Sequence, residues 1–112
     1  MKRGEIWVAH LDPKKGSEVG KQRPVLIIQT DLLNDIHHPT VSVLPLSAQE
    51  QSENILRIKV SHPNFHHQQA YILVDQIRTI DAKTRLKSKL GDIDGELMKV
   101  VSQRLRQVLD LE

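Results

Sequence analysis

Arg23 stands between a polar, glycine-bearing loop, Gly16 to Gln22, and an unbroken apolar run, Val25 to Ile28. A guanidinium held at the mouth of a buried strand offers a rigid fork of N–H donors that matches the oxygens of a phosphate. The same position also suits a strand-end arginine paired with a surface carboxylate, and position alone does not choose between the two. Ser17 and Glu18 add a hydroxyl and a carboxylate on the neighbouring loop, where they could close on an anion or serve as ordinary turn residues. Ser47 follows a third apolar run; its hydroxyl could bond a phosphate oxygen or only shape a turn. Asp75 and Arg78 lie three apart, which puts them on opposite faces of a strand unless a bulge intervenes. As a loose pair on a sheet they would form a surface salt bridge.

The histidines suggest metal. "HPNFHH" gathers His62, His66 and His67, and His37 and His38 form a second group. Zinc requires ligands on a rigid element with another converging from elsewhere. Both groups fall in expected loops, so no metal site is assigned. No histidine adjoins a GxSxG-like serine, and the phosphate-cradling GxxxxGK[ST] pattern is absent.

The elements that must position these residues follow from apolar patterning and turn signals. Glu5 to Leu11 reads as a first strand between Gly4 and Asp12-Pro13. Pro24 biases Arg23 toward an extended conformation, and Val25 to Ile28 fits a strand buried on both faces. Asp31 to Asn34 reads as a helical turn. Thr40 to Leu46 reads as a third strand, with Pro45 marking its end or an edge. Ile55 to Val60 alternates as a fourth, and Ala70 to Ile80 reads as one long strand bent near Asp75. Lys83 to Lys89 fits a short helix or a loop. Beyond Gly91, Asp92 or Asp94 can cap a helix whose apolar residues Leu97, Val100, Val101, Leu105, Val108 and Leu109 recur at three-and-four spacing. Short strands ending in one amphipathic helix predict an α+β domain, a small barrel or curled antiparallel sheet with the helix packed against it.

The chain has 112 residues, enough for one core, which predicts a single domain over 1–112. It has no cysteine, which excludes disulfides, thiolate metal sites and a cysteine nucleophile. "MKRGEIW" has the positive charges of a signal peptide without an apolar segment behind them, and no apolar run is long enough to span a bilayer. A cytoplasmic protein without membrane contact is expected. The formal net charge is only +2, but the first thirty residues carry Lys2, Arg3, Lys14, Lys15, Lys21 and Arg23 against Glu5, Asp12 and Glu18. That local excess suits an anionic partner such as RNA, or a solvated surface. With Trp7, Phe65 and Tyr71 as the only aromatics, a base-stacking sheet platform is not expected.

Three ordered stretches, "RGEIWVAHLDPKKGSEVGKQRPVLIIQ", "PLSAQ" and "DQIRTID" followed by an amphipathic helix, resemble the signatures of the MazF/PemK family of toxin endoribonucleases over most of the chain. The resemblance implies an SH3-like antiparallel β-barrel of the CcdB/MazF type with a C-terminal helix, assembled as a homodimer. It implies metal-independent, cofactor-free cleavage of single-stranded RNA at short sequences, and a MazE-like antitoxin whose disordered tail covers the RNA groove. Arg23 matches the family's catalytic arginine. Ser47 stands where the better-matching branch has threonine; it keeps the hydroxyl but gains rotamer freedom. Glu18 is the nearest base on spacing. Ser17, Lys21, Gln22, Gln49, Asp75 and Arg78 are the expected RNA contacts. In the PemK branch the loop carries histidine where this chain has Ser17, and an arginine where it has Leu73, which assigns the chain to the MazF-like side. Two rivals share the residues: a non-catalytic toxin of the CcdB type that binds a topoisomerase, and a plain RNA-binding barrel. The ending "RQVLDLE" lacks the aromatic-then-small pattern of the CcdB type.

Overall fold

A computed structural model describes residues 1–65 and 68–112. His66 and His67, two of the histidines weighed above as metal ligands, lie outside the described residues. The chain forms β1 (Glu5–His10), β2 (Gln22–Ile27), α1 (Asp31–Asn34), β3 (Thr40–Ser47), β4 (Arg57–Ser61), β5 (Gln69–Leu73), a 3-10 turn (Val74–Gln76), β6 (Arg78–Asp81), α2 (Ala82–Arg85), β7 (Leu86–Asp92) and α3 (Gly95–Val108). The strands run in the order β4-β5-β3-β2-β1-β7, with β6 also pairing β3, and every pairing is antiparallel. The result is a mixed α+β fold: a half-barrel sheet curled about β3, with α3 packed on one face.

The uninterrupted apolar run of β2 has a simple cause. Successive strand residues point to opposite faces, and both faces of β2 are covered. Leu26 and Ile28 enter one core cluster with Ile6, Leu44 and Ile72, while Val25 and Ile27 enter a second with Ala9, Val41 and Ile80. β3 divides in the same way, Leu44 and Leu46 on the first side and Val41 and Val43 on the second. Val101 and Leu105 of α3 complete the first cluster, as their helical spacing requires.

Four expectations change. Pro45 lies neither at the end of β3 nor on an edge strand: it is buried and pairs with Val25 of β2. On the other side of β3, pairing passes from β6, which ends at Val43↔Arg78, to β5, which begins at Leu46↔Ile72. Proline has no N–H to donate, and this is where a ladder donor is least needed. The long strand from Ala70 to Ile80 is two strands, β5 and β6, broken at the 3-10 turn that contains Asp75. Lys87 to Lys89, expected in a helix or loop, belongs to edge strand β7, paired with β1 from Leu86↔Ala9 to Asp92↔Glu5. Its sequence, LKSKLGD, carries almost no β-branched signal. Its lysines guard an exposed edge. Leu109 is 44% exposed, because the helix has ended at Val108 and Leu109 is its C-cap.

Asp94 is the cap of α3, its Oδ1 accepting from Leu97 N at 2.8 Å. Removing such a cap costs about 1 kcal/mol. Asp94→Ala is expected to lower Tm by about 4 °C in a domain of this size, read by thermal circular dichroism; an unchanged Tm refutes the cap's contribution.

Two of the described histidines have structural roles. His62 Nδ1 accepts from Asn64 N at 3.1 Å, and its ring meets Phe65 at 5.5 Å between centroids. The ring covers Gly91, where an added Cβ would collide with Nε2. His38 Nδ1 lies within hydrogen-bonding distance of the Thr40 main chain, 3.1 Å from its carbonyl oxygen and 3.3 Å from its nitrogen. Among the described residues, no helix is long and apolar enough to cross a membrane.

Candidate functional site

The residues with chemical potential converge at one end of the β2–β3 pair. Val25 faces Pro45, and the same antiparallel register carried two residues further brings Arg23 level with Ser47. Residues two apart on a strand share a face, as do residues directly opposite across a pair. Arg23, Ser47 and Pro45 therefore belong to one face, and Pro45 borders an open cleft of about 760 Å³. A volume of that order accommodates a ligand the size of a nucleotide.

Arg23 is half-buried and held from two sides, Nε donating to Gly20 O at 2.9 Å and Nη1 to Leu46 O at 3.4 Å. Burial lowers its pKa, opposed by the nearby Asp12 carboxylate. An arginine so shifted still carries its charge at neutral pH. The loop that supplies Gly20 is itself anchored: Lys21 N donates to Asp12 Oδ1 at 2.6 Å and Val19 N to Gln76 Oε1 at 3.1 Å. Gly20 is obligatory there, since a Cβ would come within 2.5 Å of Asp12 Oδ1 and 2.9 Å of Lys14 Cβ.

Ser47, at the end of β3, accepts from Gln49 N through Oγ at 3.2 Å. That leaves the hydroxyl proton free to donate elsewhere. Glu18 is exposed, and one carboxylate oxygen accepts from Lys15 N at 2.9 Å, leaving the other oxygen for chemistry.

Ser17, Glu18, Asp75 and Arg78 all line the cleft. Arg23 and Ser47 are not in its lining, and neither are Lys21, Gln22 and Gln49, which are exposed and lie within two residues of them in the chain. The expected opposition of Asp75 and Arg78 does not occur: the 3-10 turn between them resets the strand alternation, and both reach the same cleft. Nor do they pair with each other. Asp75 Oδ1 accepts from Arg57 Nη1 at 2.6 Å, while Arg78 Nη1 is shielded from solvent and has no hydrogen-bond partner among the described residues.

Four further polar lining residues, Lys15, Arg57, Gln76 and Arg85, escaped the sequence reading. Arg85 donates to His10 O at 3.0 Å and Asp12 O at 2.7 Å, fastening α2 to the end of β1. The basic excess of the first thirty residues includes Lys15, but no local signal marks Arg57 or Arg85. With Lys15, Arg57, Arg78 and Arg85 against Glu18 and Asp75, the cleft is net positive, and a concave positive surface draws polyanions.

Residues 2–109 match the family described as PemK-like, MazF-like toxin of type II toxin-antitoxin system. Endoribonuclease EndoA of Bacillus subtilis is 40% identical over 114 aligned residues that take in 99% of this chain and 96% of that protein. Among solved structures, MazF from Deinococcus radiodurans superposes with a TM-score of 0.85 at 17% identity, covering 99% of this chain and 97% of that one. An endoribonuclease from a mycobacterial species, solved in complex with its cognate antitoxin, superposes at 0.79 and 19% identity, covering 100% and 97%.

Proposed function

The chain belongs to the PemK-like, MazF-like toxin family of type II toxin-antitoxin systems, and from that premise we propose that it cuts single-stranded RNA with Arg23 as the principal catalytic group. The observation that carries this reading is the half-buried, charged Arg23 on the same strand face as Ser47, with a net positive cleft bordered by Pro45 of that face. Family membership and the relative named an endoribonuclease favour it over a topoisomerase-binding toxin or a plain RNA-binding barrel.

The chemistry is transesterification. The ribose 2′-oxygen attacks the adjacent phosphorus, its proton passes to a base, and the bond from phosphorus to the 5′-oxygen breaks. The 5′-oxygen takes up a proton, leaving a 2′,3′-cyclic phosphate and a 5′-hydroxyl. Charge builds on the phosphorane oxygens, where the Arg23 guanidinium supplies preorganised donors. Its pKa remains too high for it to act as the proton source. Ser47 orients the phosphate or the attacking hydroxyl through its free O–H. Glu18, with one oxygen unengaged, receives the 2′ proton. Ser17, Lys21, Gln22, Gln49, Asp75 and Arg78 contact the flanking nucleotides.

Cleavage of messenger RNA in the cytoplasm would inhibit translation and growth. The active form in this reading is a homodimer, and its antitoxin is a MazE-like protein. A disordered, acidic antitoxin segment would find complementary charge in the cleft cations. A long RNA incubated with the purified protein in EDTA is expected to yield discrete fragments with 5′-hydroxyl and cyclic phosphate ends. Intact RNA, or cutting that requires added metal, refutes the mechanism.

A further inference from the structure

We propose that Arg57 is a positioning residue that anchors the loop 48–54 and thereby sets which bases are accepted beside Ser47; the specificity half of this rests on the RNA-cleaving reading above. The loop leaves β3 directly after Ser47 and is mostly exposed. Between Ala48 and Glu53 no backbone amide donates to a backbone carbonyl among the described residues. A segment so poor in main-chain bonds takes its conformation from side chains.

Arg57 supplies that constraint. Its main chain exchanges two hydrogen bonds of 3.1 Å with Asn54, closing the far end of the loop. Its Nε donates to Gln51 Oε1 at 2.9 Å, in the middle of the loop. Nη1 donates to Leu56 O at 2.8 Å and to Asp75 Oδ1 at 2.6 Å, on the 3-10 turn that follows β5, the strand with which β4 pairs. Of the five ion pairs described, this one alone joins two residues of the cleft lining, and its side chains are only 20% and 37% exposed. A planar guanidinium can hold both ends of such a bridge at once; an ammonium cannot reproduce the fork. RNA-specific contacts form on unstacked bases read by side chains of defined position, so a loop released from Arg57 would discriminate less.

Wild type, Arg57→Ala, Arg57→Lys, Gln51→Ala and the Arg57→Ala/Gln51→Ala double variant are compared on one long RNA in EDTA, with every cut site mapped and its initial rate measured. Arg57→Ala and Gln51→Ala are each expected to lower the ratio of rates at preferred and single-base-variant sites by about threefold or more, non-additively in the double variant, as for residues in one network. Arg57→Lys should recover little of that ratio. Backbone order parameters from nitrogen-15 relaxation without RNA should fall across 48–54 in both single variants. Unchanged cut-site ratios overturn the specificity role. An equal loss at every site with Gln51→Ala silent makes Arg57 an ordinary phosphate-binding cation and overturns it as well. Unaltered order parameters across 48–54 overturn the anchoring whether or not RNA is cut. RNA left intact by the wild type refutes the RNA-cleaving reading and the specificity role with it, while the order parameters still decide the anchoring.

Discussion

Arg23→Ala is expected to lower RNA cleavage in EDTA by about 10²- to 10³-fold, the usual loss when a preorganised donor to a developing oxyanion is removed. The reason is geometric. The guanidinium is held by Gly20 O and Leu46 O, so it enters the reaction already oriented. The backbone at 23 keeps its pairing with Ala9, so the strand should persist. Arg23→Lys should fall between wild type and alanine, because an ammonium keeps the charge without the fork. Circular dichroism and sedimentation of each variant guard against misfolding. An Arg23→Ala protein that is folded and cuts at the wild-type rate would remove Arg23 from the mechanism.

The largest expected loss of stability is at Leu26. It is fully buried near the end of β2, opposite Leu44 and Ile6, and shares a cluster with Val101 of α3. Truncating a leucine in such a site removes its transfer free energy and leaves a cavity, together about 2–5 kcal/mol. For about 110 residues this corresponds to a fall in Tm of roughly 10–20 °C. Leu32→Ala offers the contrast: Leu32 is 81% exposed, and surface truncation usually changes stability by less than about 0.5 kcal/mol. Equal losses at both positions would show that the core does not depend on this packing. Leu26 also joins stability to activity, because β2 is the strand that carries Arg23.

Patterning made much of the fold legible. The apolar run after Pro24 announced a strand buried on two faces, the three-and-four spacing from Leu97 to Val108 announced α3, and Asp92 or Asp94 marked its start, of which the structure uses Asp94. The failures share a cause. Leu86 to Asp92 is a strand because β1 presents it with a free edge, and no property of its own residues says so. Pro45 suggests a strand end or an edge because local rules cannot foresee that β3 changes neighbours beside it. Leu109 continued the helical periodicity past the residue where the helix stops.

For the site, the segments were legible and their meeting was not. Arg23, Ser47 and the Ser17–Glu18 loop were recognisable from residue type, order and resemblance, since each motif is local in the chain. The 3-10 turn that brings Asp75 and Arg78 to one cleft, the Arg57 bridge from Gln51 to Asp75, and the cations Lys15 and Arg85 are products of long-range closure. By itself the sequence determined the family, the strand and helix periodicities, and the arginine on which the proposed chemistry turns, because these depend on residue identity and short spacing. Tertiary structure alone decided which charges share the cleft and which carboxylate holds which guanidinium. Those outcomes depend on strand register and on one break in alternation, and neither has a signature in local sequence.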